Sequence, residues 1–557
     1  MKRLLPLLPF LALVGVLVLP VAPARAKSAE WTAAYKRFKS DFKTSKPIKT
    51  RRQAVKALAK SGDPRALGEL LKAVKVQTRH AIKMKKEWKA EEEAWQEKTR
   101  RLEEVIEKKG DSAHGGGISV TAEEDEWFSL LQESKNRMPK YRTEKARIEG
   151  VYERALEEDD FTFYMFRKMS TLLNELPAEE RSKTLKKFIS SAKGAKKEMP
   201  RFFIHGLAYT QGDAATQALI DLAQSKDNGT RILALEALGR QNTERGMLFL
   251  MAQLALPEWP LRAATIKGLS FYHDPRVVQA LLDGSKEETG SLQRKYFAAL
   301  ARVVQESIPG TPEAWASFWK SNEEDLVKQW KERYPFGEPY MGEVPDIPID
   351  TSLGSTSFYG IQTNSKHIIF IVDVSGSMGN ESKKNAQGDL KIDVARRELK
   401  KAIQSLSASD EDERGAASFN IVLFGTLITV YKPGKMITAT LSHKKKALAW
   451  IEENVQPQKG FAHIMTNIFD ALEAAFNVIS DKKDSKNMER GADTIFLMTD
   501  GMANRGRFFA RRNVFLREVN RLNEKRKLTI HTIGVGEHDR QLLGSIAAAN
   551  DGQYLAR

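Results

Sequence analysis

The 557-residue sequence predicts a multi-domain chain: an α-solenoid carrying a long helical hairpin, then an α/β domain built on a doubly wound, mostly parallel sheet of the Rossmann-like kind. Three observations carry this. Arg201, Arg231, Arg262 and Arg294 recur every 30 to 32 residues, each opening an apolar helical stretch. Two charged stretches with apolar residues at three-, four- and seven-residue steps flank a glycine-rich break at Gly110–Gly117. Beyond Lys366, short apolar runs alternate with amphipathic stretches up to the C-terminus.

The chain opens on a targeting segment. Lys2 and Arg3 precede the apolar run Leu4–Val21, and Ala24-Arg25-Ala26 has the small-x-small form of a cleavage site. Residues 1–26 therefore read as a signal peptide. The run is also nearly long enough to stay as an anchor, although Pro6, Pro9 and Pro20 favour removal. No later stretch is apolar enough to span a bilayer. The expected location is the periplasm, the cell surface or the medium of a bacterium. With no cysteine, the exported domains must stand on packed cores. The net charge of +17 suits an anionic cell-surface environment or, equally, a solvated surface. It is spread through the chain without zinc-finger spacing or an aromatic RNA-binding signature, so no specific nucleic acid is expected.

Residues 27–304 make the helical module. Arg51–Val76 reads as two amphipathic helices hinged at Gly62-Asp63-Pro64, and the same plan returns over Thr184–Val304, with turns at Gly212-Asp213, Gln241-Asn242 and His273-Asp274-Pro275. The pattern resembles short HEAT-like repeats, whose units bury their faces only against neighbours and leave a concave surface for partners. The insert at about 76–158 carries Ala81, Trp88, Trp95 and Leu102 at heptad spacing on one arm. Trp127, Leu131, Met138, Tyr141, Ile148 and Tyr152 lie on the other. Such seams predict an antiparallel, coiled-coil-like hairpin projecting from the solenoid, kinked at Pro139. Residues 305–365 read as one short helix from Pro312 to about Tyr334, then a linker rich in Pro, Gly, Ser and Thr whose end Phe358 and Tyr359 pin onto the next domain.

In the last domain, 366–557, candidate strands are Ile368–Val372, Phe419–Phe424, Ile428–Tyr431, Thr494–Met498, Thr529–Gly534 and Gln553–Leu555. Candidate helices are Ile392–Leu406, His443–Glu453, Ile468–Ile479, Arg511–Glu524 and Asp539–Ala549. Ile428–Tyr431 follows its predecessor too closely for a crossover helix, so it is expected as an antiparallel edge strand.

Two of these strands end on an aspartate: Asp373, followed by Ser375, Gly376 and Ser377, and Asp500, followed by Gly501. Thr466 stands just before another helix. On one sheet edge these would bring together two carboxylates and three hydroxyls, hard oxygen donors that suit Mg²⁺, Mn²⁺ or Ca²⁺. Asp373-x-Ser375-x-Ser377, Thr466-Asn467-Ile468 and Met498-Thr499-Asp500-Gly501 resemble the three elements of the metal-ion-dependent adhesion site (MIDAS) of von Willebrand factor A (VWA) domains. The resemblance implies that Asp373, Ser375, Ser377, Thr466 and Asp500 ligate a divalent cation, Mg²⁺ first, directly or through water. It departs at Met465, where the family commonly has glycine, which puts the shape of that loop in question.

No GxxxxGK[ST] loop or Gly-x-Ser-x-Gly elbow is present, and no catalytic residue is assigned. The expected function is a non-enzymatic, exported adhesion or binding protein whose metal shell is completed by an exposed Asp or Glu of a protein partner. The alternatives are an envelope scaffold with a purely structural ion and a metal-dependent hydrolase. Neither His463, a loop residue, nor Asp393, which suits a helix dipole, is given a metal role.

Overall fold

The computed structural model describes residues 24–112, 123–193, 199–306, 308, 310–336, 356–380, 388–407, 416–458, 465–478 and 491–557. The targeting run up to Pro23, the tip of the hairpin, most of the linker and His463 lie outside these residues. So do the side chains of Leu102, Trp127, Leu131, Met138 and Tyr141.

Every regular element of the N-terminal module among the described residues is a helix. The predicted pair around Gly62-Asp63-Pro64 is Ile48–Lys60 followed by Arg65–Ser112. The boundary expected near Val76 does not exist. A single helix of 48 residues leaves the repeat and becomes the first arm of the hairpin. Its return arm, Glu123–Glu175, runs unbroken through Pro139 and back into the solenoid. Helix-favouring residues fill the join, so nothing stops either helix where the repeat pattern changes. The arms are tied at their base by Arg51, 2% exposed, which gives a two-pronged bond to Glu158 at 2.6 and 2.8 Å and a third bond to Gln77. Removing one partner of such a buried pair leaves an uncompensated charge.

The repeat arginines form a ladder along the inner helices. Arg201 reaches Asp159 at 3.4 Å, Arg231 reaches Glu258 at 3.5 Å, and Arg262 reaches Glu288 at 3.3 Å. The last two acidic residues each lie just ahead of the next inner helix, Trp259–Leu269 or Gly290–Val304. This is why the period is visible in sequence. Arg294 has no following repeat and faces the C-terminal domain.

Among the described residues, that domain is built on a seven-stranded sheet. Its strands are β3 (His367–Asp373), β4 (Ser418–Phe424), β5 (Ile428–Val430), β6 (Ile437–Thr438), β7 (Thr494–Thr499), β8 (Thr529–Gly534) and β9 (Tyr554–Ala556), numbered after a small hairpin of β1 (Thr356–Phe358) and β2 (Ile361–Thr363). The order is β5-β4-β3-β7-β8-β9, with β6 also paired to β4; β5 and β6 are antiparallel and the rest parallel. Alternation along β3 sends Ile369 and Ile371 to one face and Ile368, Phe370 and Val372 to the other. Helices cover both faces. The hairpin β1–β2 corrects the linker reading: Tyr359 and Gly360 both have positive φ (54° and 93°), as a tight hairpin turn needs, and Phe358 is fully buried against Phe370 and Phe496.

The two modules are packed on one another. A single apolar core runs from Trp31 through the solenoid into the Ile369–Ile371 face of the sheet. Ser291 bonds Thr529 at 2.7 Å, Lys295 pairs with Asp551 at 2.8 Å, and Lys527 pairs with Glu236. The sheet domain thus sits against the inner helices. Nor does the base of the hairpin project freely. Phe508 packs against both Trp88 and Tyr152, at centroid distances of 5.3 and 5.0 Å, where those two rings meet each other at 4.4 Å. Arg511 reaches Glu153 at 2.6 Å and the Ala146 carbonyl at 2.7 Å, and Arg517 pairs with Asp160. Part of the aromatic seam expected to close the hairpin is therefore shared with the sheet domain. Beside it, Lys145 serves two buried carboxylates, Glu92 at 2.5 Å and Glu149 at 3.7 Å. Burial pushes Glu149 up to about 7, against the pull of Lys145.

Candidate metal centre

Parallel pairing of β3 with β4 and β7 aligns their carboxyl ends, and the loops that leave these ends meet. Asp373 is the last residue of β3 and is fully buried. Its Oδ1 accepts the backbone N–H of Ser375 at 2.8 Å, and its Oδ2 accepts the Thr499 hydroxyl at 2.5 Å. Ser375 then starts a single 3₁₀ turn, Gly376–Gly379, that swings Ser377 over the sheet edge. The hydroxyls of Ser375 and Ser377 lie 3.1 Å apart, and Ser377 donates to Asp500 Oδ1 at 2.8 Å.

Thr466 arrives from the third loop. Its backbone N–H bonds Asn504 Oδ1 at 2.8 Å, and its carbonyl accepts the Asn504 N–H at 3.1 Å. A Cβ built on Gly501 would lie 3.2 Å from Thr466 Oγ1, so this hydroxyl borders the Asp500 loop. Although Thr466 is 3% exposed, its hydroxyl bonds no protein group among the described residues. Asn467 caps the helix Ile468–Asn477, and Gly506 passes so close that a Cβ there would sit 1.8 Å from Asn467 Oδ1; its φ of 86° excludes other residues on a second count. Met465 stands where the family commonly has glycine, and its N–H bonds the Thr426 hydroxyl at 3.1 Å.

All five predicted residues thus meet at one sheet edge. Asp393 does not; it pairs with Arg396 at 2.9 Å. Burial, and then the charge of Asp500, push the Asp373 carboxyl up to about 6, against hydrogen bonds from Thr499 and Ser375. Two buried carboxylates with few cations around them are short of positive charge, and an oxygen-rich set of this kind fits a hard divalent ion. The set has no sulfur and no imidazole.

One residue that sequence reasoning missed supplies part of that charge. Lys391 Nζ lies 2.8 Å from Asp500 Oδ2, with the lysine side chain 12% exposed. It is the first residue of the helix Lys391–Ser405. A cation at a helix N-terminus opposes the helix dipole, and that was the available signal. Thr499 and Asn504 were missed as positioning residues because only tertiary contact reveals what they hold.

Residues 367–556 match the family model of the von Willebrand factor type A domain. The C-terminal module is a VWA domain. The solenoid also matches: residues 216–301 fit HEAT repeats, and residues 50–75 fit the PBS lyase HEAT-like repeat. Among known proteins, inter-alpha-trypsin inhibitor heavy chain H3 of Mus musculus is 29% identical over 148 residues, 26% of this chain and 14% of that protein. Complement C2 of Bos taurus is 29% identical over 151 residues, 25% of this chain and 20% of that protein. The chain therefore spans only a small part of these relatives. Two solved structures of proximal thread matrix protein 1 from the mussel byssus also resemble it. The first is 20% identical with a TM-score of 0.26, covering 34% of this chain and 40% of that one. The second, described with a zinc-occupied MIDAS motif, is 20% identical with a TM-score of 0.27, covering 35% and 43%. A MIDAS-bearing VWA domain points to a divalent cation and to protein–protein interaction. No helix among the described residues is long and apolar enough to cross a membrane.

Proposed function

We propose that the VWA domain, residues 366–557 together with the β1–β2 hairpin, holds a divalent cation, with Mg²⁺ the first choice and Mn²⁺ or Ca²⁺ next. Asp373, Ser375, Ser377, Thr466 and Asp500 would be its ligands, directly or through water. The observation that supports this most is the continuous chain of contacts Asp373–Ser375–Ser377–Asp500, drawn from two loops, with beside it the Thr466 hydroxyl, which bonds no group among the described residues. When bound, the ion would supply an open coordination position for an acidic side chain of a protein partner. The protein's own part is to hold the oxygens in place and to present the surface around them. Leu427 and Met502, 55% and 60% exposed, follow Gly425-Thr426 and Gly501 on the neighbouring loops and offer apolar contact.

The polar groups gathered here are ligand-type or positioning groups, so the reading is binding without turnover, by a protein exported through residues 1–26. The HEAT-like module, residues 27–304 with its hairpin, would act as the cradle for this domain. Its inner face is already engaged by the VWA domain, so partner binding is assigned to the metal edge. The test is capture by the full-length chain of proteins from an envelope extract, with Mg²⁺ and then with chelator. Capture should vanish with chelator and in Asp500→Asn. Capture that survives both would leave a scaffold with a structural ion.

Lys391 gives this reading a sharper test. Its ammonium occupies one oxygen of Asp500 and repels any cation placed beside it. Lys391→Met is expected to tighten Mn²⁺ binding about tenfold in calorimetry of the full chain, a modest fraction of the unscreened charge interaction at this range. Unchanged or weaker binding would remove Lys391 from the ion's surroundings.

A further inference from the structure

Between the solenoid and the VWA domain, well away from the metal edge, lies a cavity of about 510 Å³. Its floor comes from the inner helices of the repeats, which contribute Glu236, Lys267, Lys295 and Arg302. Its other wall comes from the VWA domain, which contributes Lys527 and Asp551. Seven cations line the cleft against four carboxylates, of which Glu518 is paired with Arg521 at 2.8 Å and Glu524 alone has no ion pair among the described residues. Glu236 is paired with Lys527 and lies 3.7 Å from Lys267, and Asp551 is paired with Lys295 at 2.8 Å. Arg302, half-buried, makes no ion pair or hydrogen bond through its guanidinium among the described residues. Glu236 favours the charged form of Lys267, whose side chain is half-exposed, but repulsion from Lys527 and the partial loss of solvent in the cleft outweigh it and hold Lys267 below the ordinary lysine value. The cleft thus holds more positive charge than the protein itself neutralises. Its volume is that of a small-molecule site, and a module junction is a usual place for one.

We propose that this cleft binds a small, soluble polyanion carrying at least two phosphate- or sulfate-type groups, held between Lys267 and Arg302 of the solenoid and Lys527 of the VWA domain. Arg302 offers a planar fork to paired anionic oxygens, and the lysines act as point charges around it. Such a ligand spans the junction and ties the two modules together. The site stands apart from the metal reading and does not need it.

The test is calorimetric titration of the full-length protein with sodium pyrophosphate in divalent-free buffer, with orthophosphate as a separate arm. Saturable binding of pyrophosphate is expected, about tenfold tighter than that of orthophosphate, and at least about tenfold weaker in Lys267→Met/Arg302→Met. Arg302→Lys keeps the charge but loses the fork, and should bind more weakly than the parent and more tightly than Lys267→Met/Arg302→Met. The exposed control Lys445→Gln/Lys446→Gln, on the helix Leu441–Asn454, should bind as the parent does. Binding unchanged in the double methionine variant, binding lost equally in the control, or no saturable uptake by the parent would each overturn the proposal. Asp500→Asn should bind pyrophosphate normally, which separates this result from failure of the metal site.

Discussion

Asp373→Asn is expected to weaken Mg²⁺ or Mn²⁺ binding at least about a hundredfold, or roughly 3 kcal/mol, while making the metal-free protein more stable at neutral pH. The two effects have one cause. Asp373 is buried beside Asp500, and its carboxyl is pushed up to about 6 from an ordinary value of 3.8. A carboxyl raised in the folded state favours folding only while protonated. That contribution is whole below about pH 4 and is lost as pH rises through about 6. The metal-free parent should therefore lose stability between those values, on the order of 2 kcal/mol, and asparagine should not. A divalent ion would reverse the penalty in the parent alone. Thermal unfolding of the full chain at pH 5 and pH 7.5, with and without millimolar Mg²⁺, reads all of this. A parent that gains no stability from either Mg²⁺ or Mn²⁺ would end the metal reading.

Phe508→Ala is expected to cost about 3–5 kcal/mol and also to weaken metal binding several-fold. Phe508 is 2% exposed and lies against Phe469 at a centroid distance of 4.8 Å, as well as against Trp88 and Tyr152. It holds φ at 62°, a conformation that a side chain rarely adopts, and the buried ring compensates for that. The same loop carries Asn504, which grips Thr466, and Arg507, which pairs with Asp470 at 2.9 Å and with Glu473 on the helix after Thr466. Removing the ring should loosen this clamp and blur the position of the Thr466 hydroxyl. Trp88→Ala, on the hairpin, should reproduce part of the metal effect. The double variant should then cost less than the sum of the two, because the rings contact each other. Denaturant unfolding and Mn²⁺ calorimetry on the four proteins measure both terms. Full metal affinity in Phe508→Ala would show that the metal loops are rigid without the hairpin.

Much of the candidate centre could be read directly because each part depends on short-range pattern. Asp373 and Asp500 announce themselves where continuous apolar runs stop, and a strand buried on both faces must stop where its polar loop begins. Thr466 stands one residue before a helix cap. Thr529–Gly534 appears as a strand over the predicted range, and the other predicted strands differ by a residue or two at their ends. The arginine period was equally legible, because Arg231 and Arg262 each pair with a glutamate just ahead of the next inner helix.

Lys391 shows where this kind of reading fails. A cation opening a helix was its one local signal, and only the meeting of segments more than a hundred residues apart gives it Asp500 as a partner. The hairpin fails for the opposite reason. Its apolar seam was visible, but a seam of aromatics does not say what covers it, and here Phe508 competes with the second arm for Trp88.

Periodicity, breaks and strand-end motifs thus determine that this protein is a repeat module followed by an α/β domain with five oxygen-bearing side chains on one edge. Tertiary structure alone decides that the two modules share a core, that the hairpin base buttresses the loop that holds Thr466, and that a cationic cleft opens between them. The division has a physical origin. Local patterns record which face of each element avoids water, whereas the partner that covers the face depends on packing angles and charge pairs between residues hundreds of positions apart.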